Sequence, residues 1–152
     1  MKWNLSVEKS MREIGLVSCT KTKLEEPASP GELYSPSSLF SKARQYCEQH
    51  HDDWYVLSAK HQLLEPDGPP IEPYDETLTG ARVGEKRAWA TETFDELDTA
   101  GLLEADTTLV FHAGKAYYEE LLPLLDETAV SIELPVEGLM IGERLGWYNE
   151  RT

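Results

Sequence analysis

Apolar and polar positions follow two rhythms along this chain. Four short segments, at 13–18, 53–58, 107–112 and 129–134, each built around an apolar run, read as buried strands. Between them, apolar residues recur at helical spacing. Ser37 or Ser38 is a suitable N-cap for a helix reaching about His50, with Leu39, Phe40, Ala43, Tyr46 and Cys47 facing the core. A second helix is predicted from Thr79 or Gly80 to about Ala100. Trp89, Phe94 and Leu97 form its inner face, and Gly101 is its left-handed stop. Residues 115–125 read as a third helix with Tyr118, Leu121, Leu122 and Leu125 on one side. Residues 138–148 read as a fourth, carrying Leu139, Ile141, Leu145 and Trp147.

Alternation of strands and helices predicts an α/β fold. The expected architecture is one three-layer α/β/α domain over 1–152, Rossmann-like, with a mainly parallel sheet of four or five strands. Residues 1–12 are polar and read as a loosely held lead-in. Two long loops, 19–36 and 62–78, are rich in turn residues. Loops of that length in a small domain are often functional. No internal repeat or second domain is visible.

Three strand ends carry reactive residues. Val17 leads into Ser18-Cys19-Thr20-Lys21-Thr22-Lys23, Leu57 into Ser58-Ala59-Lys60-His61, and Phe111 into His112-Ala113-Gly114-Lys115. Carboxyl ends of parallel strands lie along one edge, where ligands bind. The pattern therefore gathers Cys19, Lys23, Ser58, Lys60, His61, His112 and Lys115 toward one crevice suited to an anionic or nucleotide-like ligand. Cys19, beside two of the chain's eight lysines, is a candidate nucleophile. The plain alternative is a small strand-end residue with solvated lysines nearby. His61 and His112 are candidate acid–base groups, against the plain alternatives of an exposed polar residue and a core histidine. Lys21, Lys23 and Lys60 suit anions. Gly114 lets a ligand approach the backbone, with Tyr117 close by. Tyr74 and Asp75 lie in the second loop; Tyr74 suits base stacking or simple loop anchoring. His50 and His51 read as solvated, and Cys47 as core.

Charge narrows the partners. The formal net charge is -14, with 28 Asp and Glu scattered among 14 Lys and Arg. Such a surface fits a halophile and opposes broad electrostatic binding of nucleic acid, although high salt screens that repulsion. Two cysteines make no disulfide framework. No motif demands a metal, and no cofactor is expected. No apolar run is long enough to span a membrane, and no signal peptide is visible, so a cytoplasmic protein is expected.

The strand-end residues also carry a resemblance. The chain resembles an uncharacterised microbial family with LVSC-x-K-x-K, LSAKHGLL-like, PYD-x-TL, AG-x-x-Y and GL-x-IG-x-x-L-x-W blocks. They stand here as residues 16–23, 57–64, 73–78, 113–117 and 138–147. Gln62 replaces the glycine of the second block. Cys19 and Lys23 also resemble the Cys-x-x-x-Lys loop of the archaeosine synthase catalytic domain, which attaches lysine to a 7-deazaguanine base in tRNA. Ser18 and Leu24-Glu25 depart from that pattern. In short fragments the chain is similar to YaaA-type peroxide-stress proteins, which bind DNA. The resulting expectation is an enzyme acting on a nucleotide or nucleobase, a transferase or glycosidase in nucleic-acid modification. Its ligand is a nucleotide or base, with tRNA or DNA as a macromolecular partner. The alternative is a non-catalytic nucleotide or nucleic-acid binding module in a stress or defence setting.

Overall fold

A computed structural model describes residues 11–152. Most of the expected lead-in lies outside those residues. Arg12 does not belong to it: it opens strand β1 (Arg12–Ser18), and its backbone N–H donates to Asp106 O at 2.8 Å. The other strands are β2 (Asp53–Ser58), β3 (Gln62–Leu64), β4 (Thr107–His112) and β5 (Ser131–Glu133). The helices are α1 (Pro30–Leu33), α2 (Ser38–His50), α3 (Val83–Thr99), α4 (Leu122–Leu125) and α5 (Ile141–Arg151), with one 3-10 turn at Lys115–Tyr117.

The five strands form one sheet in the order β3-β2-β1-β4-β5. All neighbours are parallel except β2 and β3. Central β1 places Val17 beside Val56 on one side and His112 on the other. The chain passes from β1 to β2 on one flank and later to β4 on the opposite flank. Such a reversal opens a crevice at the carboxyl ends of the two diverging strands, here β1 and β4. Leu16, Val56, Leu57 and Leu109 are fully buried, so β1, β2 and β4 carry the core.

Helix α2 starts where its cap chemistry dictates. Ser37 Oγ accepts from Phe40 N at 3.2 Å, satisfying one of the orphan N–H groups of the first turn. Phe40, Ala43 and Cys47 are buried, and α2 packs on α5. Helix α3 begins at Val83, later than the apolar spacing predicts. Gly80 takes φ +81° in the preceding turn, and Glu85 Oε1 accepts from Arg82 N at 3.0 Å to close the first turn. Its end is as expected, with Gly101 at φ +76°.

Three sequence expectations need correction. The 115–125 helix is broken into the 3-10 turn and the four-residue α4. Pro123 lacks an N–H and clashes with the carbonyl four residues back, so it is tolerated only in a first turn. The final helix starts at Ile141, because Gly138 takes φ +80°, and Ile141 is 63% exposed rather than inward. The loops 19–36 and 62–78 contain α1 and β3 and are joined by an antiparallel bridge between Ala28 and Ile71.

Candidate functional site

The ends of β1 and β2 carry a buried, mostly uncharged polar grouping. Ser58 is fully buried at its centre. Its Oγ accepts from His61 N at 2.9 Å and Lys60 N at 3.2 Å, and shares a 2.7 Å hydrogen bond with Tyr74 Oη. Tyr74 Oη in turn lies 2.6 Å from Tyr34 Oη. Trp89 of α3 donates Nε1–H to Ser58 O at 2.8 Å, tying the helix to the strand end. The Lys23 ammonium stands over the Tyr74 ring at 4.6 Å, and the His61 ring meets Tyr74 edge-on at 5.6 Å.

Cys19 adjoins this grouping. Its Sγ lies 3.4 Å from Tyr117 Oη and accepts from Ala59 N at 3.4 Å. Tyr117 Oη also accepts from Leu78 N at 3.3 Å. Burial, and then the neighbouring Cys19 sulfur, push the Tyr74 and Tyr117 phenols well above their ordinary range. Burial pushes Tyr34 up to about 12, although its hydrogen bond to Tyr74 acts the other way. All three phenols therefore keep their protons at neutral pH. Tyr117 O–H and Ala59 N–H are two neutral donors placed to stabilise negative charge at the Cys19 sulfur.

A small pocket opens at the β1/β4 crevice. Its walls include Val17, Ser18, Thr20, His112, Ala113 and Arg144, and its volume of about 20 Å³ is room for one water molecule. The Arg144 guanidinium reaches over Gly114, where an added Cβ would stand 3.9 Å from both Nη atoms. Arg144 is held there by donating Nε–H to Leu139 O at 3.0 Å. A guanidinium fork beside a strand-end backbone is suited to a phosphate or carboxylate.

His112 belongs to a second grouping. Its Nδ1 lies 2.8 Å from Tyr148 Oη and its Nε2 2.9 Å from His51 Nε2. His51 Nδ1 lies 3.1 Å from Glu13 Oε1. Burial, and secondarily the charge of His51, lower the pKa of His112 to about 3, so it is neutral at pH 7. His51 is not solvated as its place at a helix end suggests: its side chain is only 4% exposed.

The predicted site residues thus divide. Cys19, Lys23, Ser58, His61, Tyr74 and Tyr117 come together, and Ser18 and Gly114 flank the pocket beside Arg144. Lys21, Lys60 and Asp75 sit at exposed positions, and Lys21 enters the local network only through its carbonyl, which accepts from Lys23 Nζ at 3.4 Å. His112 lines the pocket but is engaged with His51 and Tyr148. Tyr34, Trp89, His51, Tyr148 and Arg144 were not legible as site residues.

A family of unknown function (DUF6884) matches residues 14–150. The chain belongs to that family. No curated protein and no solved structure shows significant similarity to it. The DUF6884 match spans every strand from the middle of β1 onward, so the Ser58–Tyr74 grouping, the pocket and all of the second grouping except Glu13 lie within it. No helix among the described residues is long and apolar enough to cross a membrane.

Proposed function

We propose that this protein is an enzyme acting on a nucleotide or nucleobase, a transferase or glycosidase in nucleic-acid modification. The observation that carries this reading is the closeness of two chemistries around one loop. Ser18 edges the pocket that Arg144 overhangs, and the next residue is the buried thiol in contact with Tyr117. In this reading Arg144, with Lys23 and the exposed Lys21 and Lys60, holds anionic groups. Cys19 is the nucleophile or the contact to the base. Tyr117 steadies charge on its sulfur, and His61 moves protons, a role His112 is poorly free to take. The fold reading is three-layered and Rossmann-like. Its support is that α2 packs with α5 against the Gly15 side of β1, while α3 reaches β2 and β3 through Trp89 and through Glu96 Oε1, which accepts from Leu63 N at 3.0 Å. The two cysteines, free and buried, support a reducing, cytoplasmic setting.

The test is a thermal-shift screen in high salt against nucleobases, nucleotides, 7-deazaguanines, short tRNA and single-stranded DNA. A ligand at a hundred times its Kd adds about 2.7 kcal/mol. For a domain of this size that reads as a Tm rise of roughly 5–10 °C. Arg144→Ala and Lys23→Ala are expected to lose most of that rise. No shift with any ligand overturns the reading. A second reading, a non-catalytic binding module, is favoured by the pocket's one-water size. It wins if ligand binds and is recovered intact after long incubation.

A further inference from the structure

Helix α2 ends in a Cys47-x-x-x-His51 pair, four residues apart and so on one helix face. His51 N still donates to Cys47 O at 2.9 Å, keeping the helical spacing through the last turn. The end of β4 presents His112 to the same place, with its Nε2 2.9 Å from His51 Nε2. The ligating atoms of Cys47, His51 and His112 all lie within 4.8 Å of one another. Cys47 is 1% exposed and His112 4%.

The surroundings aim these atoms at a common point. An ionised Glu13 only accepts hydrogen bonds, so His51 must donate Nδ1–H to it. That leaves a lone pair on His51 Nε2, directed at His112 Nε2 only 2.9 Å away. Two facing imidazole nitrogens at that distance need a hydrogen or a metal ion between them. Both Nδ1 atoms have outer partners, Glu13 for His51 and Tyr148 for His112. Histidines that ligate a metal are oriented in this way by carboxylates and hydroxyls bonded to the second nitrogen.

Gly15 is an independent sign. It lies in the interior of central β1, where glycine weakens a strand and often marks a close approach. A Cβ there would stand 2.6 Å from Cys47 Sγ and 2.9 Å from His51 Cδ2. The strand carries a glycine where a side chain would press on both donors.

We propose that Cys47, His51 and His112 form a binding site for Zn²⁺. Thiolate with two neutral imidazoles is a borderline-soft donor set of the kind this ion takes, with a fourth position left for water. Zn–N bonds of about 2.0–2.1 Å in a tetrahedron separate two nitrogens by roughly 3.3 Å. The two rings therefore need to part by only a few tenths of an ångström. On binding, the Cys47 thiol gives its proton to solvent, and His112 carries its ring hydrogen on Nδ1, donated to Tyr148 Oη. The ion's two positive charges are offset by the thiolate and, through His51, by the Glu13 carboxylate. The site goes beyond the nucleotide reading and does not rest on it, since it binds its ion with no nucleotide present.

The experiment titrates the reduced, chelator-treated full chain with Co²⁺ and then Zn²⁺. One equivalent of Co²⁺ should give tetrahedral visible bands and a near-ultraviolet thiolate band, and Zn²⁺ should displace it and raise Tm. Cys47→Ser should erase the thiolate band. Glu13→Gln keeps all three ligands and should weaken Zn²⁺ binding 10–100-fold. Because Cys47→Ser removes a buried core side chain, far-UV circular dichroism of each metal-free variant is compared with the parent. If Cys47→Ser fails to fold, Glu13→Gln decides. Absence of a thiolate band at tenfold excess of Co²⁺ over folded parent overturns the site. So does Zn²⁺ affinity unchanged in Glu13→Gln.

Discussion

The two buried polar groupings that meet β1 hold their hydrogen bonds in different ways. The Ser58–Tyr74–Tyr34 grouping with Cys19 and Tyr117 is built mostly from hydroxyls, a thiol and backbone N–H groups. The Glu13–His51–His112–Tyr148 grouping contains two imidazoles and a carboxylate. A hydroxyl donates and accepts at once, so the phenols and the serine of the first grouping satisfy one another without changing protonation state across ordinary pH. An imidazole must choose which nitrogen carries hydrogen, so the second responds to protons and metal ions. The first is suited to holding a strand end rigid beside a ligand. The second is suited to switching what it binds.

The largest expected effect tests the rigid grouping at its centre. Ser58→Ala removes the acceptor for Lys60 N and His61 N and one partner of Tyr74 Oη, all at a fully buried position. Leaving such groups unpaired costs about 1–3 kcal/mol. With three groups affected and Tyr34 still available to Tyr74, a loss of about 3 kcal/mol is expected in urea unfolding at pH 7.5, with little change of that loss at pH 5. A loss under about 1 kcal/mol would show that Ser58 does not organise this edge.

The second effect tests the responsive grouping in the metal-free protein. His112 faces His51, Tyr148 and Cys47, and behind His51 stands Glu13. Its folded pKa is lowered to about 3, chiefly by burial. In the unfolded chain a histidine titrates near 6.5. Between those values the unfolded chain binds the extra proton, so stability rises with pH there. The contribution is complete above about 6.5 and is lost progressively as pH falls toward about 3. At pH 5 the loss from this one group is about 2 kcal/mol. His112→Gln should therefore lose less stability than the parent between pH 7.5 and pH 5, by about that amount. Equal losses in both proteins would show that His112 is protonated in the fold.

The same contrast explains what could be read from the sequence. The strand-end grouping was legible because apolar runs of three or four residues mark buried strands, and reactive residues follow directly after them. Cys19, Ser58, Tyr74 and Tyr117 could be named without knowing which touched. Their contacts span up to 98 positions, as between Cys19 and Tyr117, and pairing at that separation is set by sheet order. The second grouping draws on the start of β1, the end of α2, the end of β4 and the middle of α5. A histidine at a helix end reads as solvated unless its tertiary neighbours are known, and here the rings of Tyr46 and His112 lie against it. Two local signals were present in Cys47-x-x-x-His51 and in a glycine inside an otherwise apolar strand. Arg144 was hidden for a similar reason: a lone arginine near a C-terminal helix start gains meaning only once Gly114 is beneath it. The broken 115–125 helix was legible in Pro123, whose ring overrides the apolar spacing around it.

The smallest effect concerns the turn that carries the rigid grouping into β3. Gln62 takes φ +63°, the single non-glycine residue in the left-handed region among those described. For an L-residue that region brings Cβ against the following carbonyl oxygen and costs roughly 1–2 kcal/mol, a penalty glycine escapes. The position follows His61 directly, so the hairpin that sets Ser58 against the backbone of Lys60 and His61 depends on it. A glycine at this position would take the same backbone angle without that penalty. Gln62→Gly should relieve the strain while enlarging the freedom of the unfolded chain, two effects of opposite sign. The net expected gain is about 0.5–1 kcal/mol in urea unfolding, with the Ser58 hydrogen bonds unchanged. A loss of stability instead would mean that Gln62 makes side-chain contacts that outweigh its backbone strain, and that the turn is held by more than its left-handed residue.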